Sequence, residues 1–462
     1  MSLPTLSPLP GYRAVVLDRA RPLAGGAGGV GGRPLALAVA LVIVVLPFGD
    51  TAVPGAGLSL TYVAMAVPAL LVLRLLVLDR IGLPPSLVFL GLALSVAGGV
   101  VSAATGVDPD RAVPSVVISL LTLGYGLAIV VAFRPGSEVD AIDLLVVVGG
   151  VVAAMALTSV GSAGALQAAE GGSVVLGRLT GPFAQPNELG IFCAALLPLT
   201  VVALVSAGSR RRTVVLGLAA ACLVGAWAMS MSRGAWIGGV VALVGLAICE
   251  PATRRALAGV GATVLAAAAA AVVLPASTPV LGVVGARLRS LGDPTQNQYD
   301  DRPLIWAEAW RQASEHPWFG VGPSGFKVAA GQTASAISAE PADHPHDLAL
   351  TILADRGVVG LALGLVVVAG CVLAARRQAL AGPGPVRPGA PSRARSLAVL
   401  AALSAVAVHC VFDMPLRNPI VAGLVWTLLG MAMTVEARGA PDDGDAPRPV
   451  PNHPPTGERR PW

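Results

Sequence analysis

Long apolar stretches recur along the whole chain, each closed by a charge, a proline or a glycine. They run near 34–49, 58–77, 84–103, 112–133, 140–160 and 187–207, then near 213–230, 234–249, 256–274, 357–375, 397–412 and 418–435. Stretches of this length and polarity match the hydrocarbon core of a bilayer, which about 20 helical residues cross. The pattern predicts an all-α polytopic membrane protein with about twelve transmembrane helices. One internal region, 275–356, departs from it at length. Inside that region Pro303 suits a first helical position, and Trp306, Ala309, Trp310 and Ala313 form an apolar stripe opposite Glu308, Arg311, Gln312 and Glu315. Pro317 ends the repeat. The spacing predicts an amphipathic helix that lies along the membrane surface or caps the bundle, within a large, partly helical loop.

Composition agrees with the bilayer as solvent. Of 462 residues, 55% are apolar and 12% charged, whereas a soluble domain carries roughly 25% charged residues. The formal charge of +5 rests on arginines, Lys327 being the only lysine. Their placement argues for membrane orientation and against a nucleic-acid partner. With a cytoplasmic N-terminus, the inner loops carry Arg74, Arg80, Arg134, Arg210–Arg212, Arg254, Arg255, Arg376, Arg377, Arg387, Arg393 and Arg395, and the short outer loops only Arg111, Arg233 and Arg417. Cytoplasmic loops retain basic residues, so both termini are expected inside a bacterial cytoplasmic membrane, and 161–186 and 275–356 outside. The division predicted is a cytoplasmic segment 1–33, a transmembrane domain 34–435 with its large outer loop at 275–346, and a disordered, Pro- and Asp-rich tail 436–462. The cysteines Cys193, Cys222, Cys249, Cys371 and Cys410 lie in or beside apolar stretches without metal-ligand spacing and read as buried hydrophobes.

Four segments on the expected outer side carry chemistry. Arg178 to Asn187 is a turn-rich entry to the sixth span. Ser232-Arg233-Gly234-Ala235-Trp236 sets an arginine between two apolar stretches joined by almost nothing. Asp300-Asp301-Arg302-Pro303 opens the amphipathic helix, which leads to Pro317-Trp-Phe-Gly-Val-Gly322. His344-Pro345-His346-Asp347 precedes a short apolar helix and then Gly357-Val-Val-Gly360. Asp347 reads as a helix N-cap.

Together these segments resemble the O-antigen ligase and polymerase superfamily, membrane glycosyltransferases of the GT-C type, over roughly residues 175–375. The most specific piece is a histidine, a polar residue, nine positions and Gly-x-x-Gly, here His346, Asp347, Gly357 and Gly360; Asp347 stands where the family more often has Asn, Ser or Gln. The resemblance implies transfer of a glycan from a polyprenyl diphosphate lipid to a lipid, protein or glycan acceptor outside the cytoplasmic membrane, as in lipopolysaccharide and other cell-envelope polysaccharide biosynthesis, without metal or cofactor. It implies His346 as the group acting on the acceptor hydroxyl, Arg233 and Arg302, with Arg178, as donor-diphosphate ligands, and His344, Asp347, Asn187, Gly357 and Gly360 as supports. Those residue types suit the chemistry: arginine holds a phosphate with a planar fork that never loses its charge, and an imidazole accepts a hydroxyl proton near neutral pH.

Two other classes are open to the sequence. Asp108-Pro109-Asp110 has the form of a metal site, and many spans alone suit a lipid-linked sugar flippase or transporter. Transporters, however, tend to set charged groups at mid-membrane, and Arg74, Asp143 and His409, the notable ionisable residues of the spans, lie near span ends, where snorkelling or pairing is expected. Whether the acceptor makes the chain a ligase or a repeat-unit polymerase is not legible.

Overall fold

The computed structural model describes residues 32–78, 81–132, 141–158, 178–258, 302–331, 342–380 and 392–438. Most of the N-terminal segment, the tail beyond 438, nearly all of the ninth apolar stretch and the outer-loop residues 275–301 lie outside the described residues. The order is α1 (Gly32–Val45), α2 (Leu60–Leu78), α3 (Leu87–Thr105), α4 (Pro109–Ala132), α5 (Ala141–Thr158), α6 (Pro186–Val205), α7 (Arg210–Met229) and α8 (Arg233–Cys249), then α9 (Arg302–Glu315), α10 (Phe326–Ala330), α11 (Leu348–Leu380), α12 (Arg393–His409) and α13 (Pro419–Arg438). No strand occurs among the described residues.

Each predicted span within them falls on a helix. Among the described residues, eight helices are long and apolar enough to cross a bilayer, or nine if α8 and the segment Pro251–Ala258, bent from it by 117°, form one span. Three further predicted spans fall on shorter helices, and the ninth lies almost wholly outside the described residues. α1, α8 and α12 have 14, 17 and 17 residues, which at 1.5 Å per residue reach about 21–26 Å against a hydrocarbon core of about 30 Å.

The bundle is built around α6, buried along nearly its whole length and packed on α7, α8 and α12. Leu70, Val77, Leu218, Ile248, Leu365 and Val372 on the outer helices stay exposed, as lipid-facing positions should. Charged groups gather at the two ends. At one end Arg212 donates to both carboxylate oxygens of Asp143 at 2.6 and 3.0 Å, and Arg393 ties Glu250 to the last turns of α8 and α11. Asp143 therefore pairs as expected, and Arg74 is exposed.

α8 and α12 approach closely because Gly234 and Gly238, one turn apart, meet His409 and Ala405, also one turn apart. Small residues at this spacing let helix backbones touch.

The expected break at Gly357 is present. Gly357 has φ 64° and ψ −166° inside α11, a conformation essentially reserved to glycine. The segment Pro317–Gly322 fills the break: Val358 N donates to Pro317 O at 2.8 Å, while Val321 N and Gly322 N donate to Ala354 O and Asp355 O at 2.9 and 3.0 Å. The broken helix thus loses its own ladder and keeps its backbone groups paired. A Cβ at Gly357 would run into the Trp318 carbonyl. Gly357→Ala is accordingly expected to destabilise the fold by about 1–3 kcal/mol, seen as a lower melting temperature in detergent; an unchanged melt would contradict this account of the kink.

The amphipathic helix α9 caps the bundle against α11, with its face turned from the one expected. Ala309 and Ala313 are buried as predicted, but Gln312 is buried beside them and Trp310 is 59% exposed. The cause is local: Gln312 Nε2 reaches the Phe326 carbonyl at 3.0 Å and Glu308 Oε1 at 2.8 Å, so Ala309 packs with Phe326 and Ala354 while Trp310 turns outward.

Candidate functional site

The ends of α6, α8, α9, α11 and α12 meet on one side of the bundle, opposite the Arg393 cluster. His346 stands at the start of α11, on a backbone it does not prefer: its φ is 56°, uncommon for a side chain with a Cβ. Three contacts hold it there. Trp306 Nε1 on α9 donates to Pro345 O at 2.9 Å, Leu348 N donates to Cys410 O at 2.9 Å, and Asp347 Oδ1 caps the helix by accepting from Leu350 N at 2.8 Å. Asp347 is therefore the N-cap read from the sequence.

The imidazole faces a carboxylate that sequence reasoning missed. His346 Nδ1 lies 3.5 Å from Asp413 Oδ1, and Asp413 is buried. Its other oxygen accepts from Asn187 Nδ2 at 2.8 Å. Asn187 Oδ1 in turn accepts from Arg178 Nη2 at 2.7 Å, and Arg178 Nε donates to Ser230 O at 3.0 Å. A line of polar contacts thus runs from Arg178 through Asn187 and Asp413 to His346. Burial alone would raise the Asp413 pKa; hydrogen bonding to His346, the nearby His409 and the donors Asn187 and Met414 N outweigh it and hold the carboxyl well below the ordinary range.

Arg178, expected as an anion ligand, is buried with Nε and Nη2 engaged by the protein. The Nη2 bond braces Asn187. The one signal that could have pointed to Asp413 is a lone acid in Val411-Phe-Asp-Met-Pro415, just past the outer end of α12.

His344 sits beside His346, ring centroids 4.2 Å apart. Arg417 Nη1 meets its Nδ1, and Asp343 joins Arg417 to Lys327 at 3.8 and 3.2 Å. Burial, with His346 and Arg417 adding to it, pushes the His344 pKa down to about 3. It is neutral at ordinary pH. His344, His346 and Asp413 each present a ligand atom within 4.8 Å of the others, a group able to hold a metal ion, although the Arg417 guanidinium already lies against His344. Asp108, from the other candidate metal motif, is the N-terminal cap of α4, accepting from Arg111 N at 3.1 Å.

Arg233 and Arg302 are the first residues of α8 and α9. Arg233 Nε is buried and has no hydrogen-bond partner among the described residues. Its neighbour Gly234 packs against the His409 ring, and the Arg302 guanidinium is close enough to that ring to act on it electrostatically. His409 is the last residue of α12. It also lies one turn before Asp413, whose amide donates to the His409 carbonyl at 3.2 Å. His409, expected to snorkel or pair, is buried at 1% exposure with its Nδ1 side against the Gly234 backbone. Gly360 packs on the Arg356 side chain just past the kink.

Residues 218–366 match the family model described as O-Antigen ligase. The stretch contains Arg233, Arg302, His346, Gly357 and Gly360 and ends before His409 and Asp413. No curated protein matches the chain. The matched stretch is thus similar to O-antigen ligase, within a chain whose described helices include several long and apolar enough to cross a membrane.

Proposed function

We propose that the chain is a metal-independent membrane glycosyltransferase of GT-C type, with both termini cytoplasmic in a bacterial inner membrane, that moves a glycan from a polyprenyl diphosphate donor to an acceptor hydroxyl on the outer side. The observation that carries this reading is the pairing of His346 with buried Asp413 at 3.5 Å, at the same end of the bundle as Arg233 and Arg302. With Nδ1 turned to Asp413, Nε2 is the nitrogen left to take the acceptor proton, and the carboxylate orients the ring and favours the imidazolium that forms. As the acceptor oxygen bonds to the anomeric carbon, the sugar–phosphate bond breaks and its electrons leave with the diphosphate. Two fixed arginines stabilise that growing charge where no cation is otherwise supplied. Asn187, braced by Arg178, holds the second oxygen of Asp413, and Asp347, Gly357 and Gly360 shape the backbone under His346. A repeat-unit polymerase would use the same groups with a second lipid-linked glycan as acceptor.

A metal-dependent reading has one observation in its favour, the His344, His346 and Asp413 group; against it, Arg417 occupies His344 Nδ1, and a cation there would face a guanidinium. A transporter reading is weakened because the candidate groups gather at one end of the helices rather than mid-span. Both are separable by experiment. Protein in lipid nanodiscs, given the host's lipid-linked glycan and acceptor fraction, is expected to release polyprenyl diphosphate and form the conjugate at the same rate with and without excess EDTA. Loss of turnover in EDTA with recovery on adding a divalent ion would establish the metal site, and movement of donor across a vesicle without release of lipid diphosphate would establish a transporter.

A further inference from the structure

One short connection holds both histidines of the site. Between α12 and α13 the chain passes through Asp413 and then, in a turn of 3-10 helix over Pro415–Arg417, through Arg417. Asp413 meets His346, and Arg417 Nη1 meets His344 Nδ1. An acid thus faces one ring and a base the other, so the two rings keep their hydrogens on opposite nitrogens.

The assignment at His344 follows from what a guanidinium is able to do. Arginine has five donor hydrogens and no acceptor, so the Nδ1 that it meets must offer a lone pair, and the ring's single hydrogen must sit on Nε2. Burial, with His346 and Arg417 adding to it, keeps that ring neutral. Arg417 finds its countercharge in Asp343, 3.8 Å away, which also lies 3.2 Å from Lys327. His344 is left as a hydrogen-bond partner only. Among the described residues its Nε2–H meets no protein acceptor. At His346 the constraint is reversed, because a carboxylate only accepts: Nδ1 carries the hydrogen toward Asp413, and Nε2 keeps the lone pair. The ring centroids are 4.2 Å apart, near enough for one acceptor molecule to touch both.

We infer that Arg417 fixes His344 as a donor, its Nε2–H holding an oxygen of the acceptor beside the hydroxyl that His346 deprotonates. The inference rests on His346 acting at the acceptor. His344 then binds substrate without moving a proton, and Arg417 is a positioning residue that acts through it. A hydroxyl with a second oxygen next to it engages both rings, whereas an isolated hydroxyl leaves one N–H unpaired, so the pair selects for acceptors of the first kind.

The test uses the full chain in lipid nanodiscs, with the host's lipid-linked glycan at saturation and its acceptor fraction titrated. His344→Leu fills the space without an N–H and is expected to raise the acceptor KM about five- to tenfold, the scale of one lost hydrogen bond, with kcat and donor KM within about twofold. His344→Gln, whose amide brings an N–H to the Nε2 position, should stay near the parent. Arg417→Met, at an exposed position, releases the tautomer and should raise the acceptor KM about threefold, while Arg417→Lys still donates to Nδ1 and should not. Nitrogen NMR of histidine-labelled protein reads the tautomer directly, with the His344 signal identified by its loss in His344→Gln: the hydrogen is expected on Nε2 in the parent and shared between both nitrogens in Arg417→Met. A parent His344 protonated on Nδ1, or a parental acceptor KM in His344→Leu, would overturn the inference alone, provided His346→Asn is inactive. If His346→Asn transfers normally, the underlying acceptor site fails instead. Should His344→Leu not accumulate, the Arg417 variants decide: a parental KM and an unchanged tautomer in Arg417→Met refute the assignment.

Discussion

His346→Ala is expected to lower transfer by about 10²–10⁴-fold, the range for removal of a positioned general base, with expression and membrane insertion preserved. Insertion should survive because the residue is 24% exposed at a helix start rather than packed in a span. Its positive φ complicates alanine, which tolerates that region poorly, so His346→Asn is the cleaner companion: asparagine adopts the left-handed conformation readily and cannot serve as base. Both should be inactive. Asp413→Asn should fall by a comparable factor, because an amide removes the charge that stabilises the imidazolium while keeping the shape that Asn187 contacts. The parent carboxylate is ionised well below neutrality. Its contribution to stability is therefore whole above the unfolded aspartate pKa of about 3.9 and fades only as pH falls toward the lowered folded value, so it imposes no limb on activity near neutral pH. His344→Ala should be milder, since that ring is held neutral and engaged by Arg417. Complementation of a host lacking the gene, scored by surface glycan and by accumulated lipid-linked precursor, reads all four. Near-normal transfer by both His346 variants would remove the base assignment, and loss in His344→Ala alone would move it two residues.

What the sequence made legible was governed by local rules. Apolar runs marked the helices, Asp347 marked a cap, and the spacing of His346 from Gly357 located a break that only glycine can make. Each depends on neighbours a few positions away. Asp413 depended instead on α12 ending beside the start of α11, a contact between residues 67 apart in the chain, and no periodicity records it. Gln312 was assigned to the polar stripe of α9 because its type suits solvent; the carbonyl of Phe326, supplied by a separate helix, drew it inside. Arg178 shows the same limit from the other side. An arginine in an outer loop reads as an anion ligand, and its sequence neighbours do not show that Ser230 and Asn187 also engage its guanidinium.

The arginine pair carries the second large effect. Arg233→Lys and Arg302→Lys are each expected to reduce kcat by about 10²–10³-fold, the scale for losing a donor aimed at developing charge, because an ammonium keeps the charge but not the two-pronged fork. The geometry distinguishes them. Arg233 begins α8 with its Nε already buried, so a lysine there should also leave unfilled volume at the start of α8, and its donor KM should rise more than that of Arg302→Lys. Arg302 begins the capping helix α9, and its replacement should act chiefly on kcat. If both hold one diphosphate, the double variant loses less than the product of the single losses, since the second substitution removes a ligand from a site already disabled. Strict multiplicativity, or wild-type rates in either lysine variant, would mean that the arginines serve separate ends and that the leaving group is held elsewhere. Arg178→Lys supplies the contrast. It should disturb Asn187 and Asp413, slow proton removal at His346, and leave pyrophosphate affinity unchanged, because two of that guanidinium's nitrogens already bond within the protein.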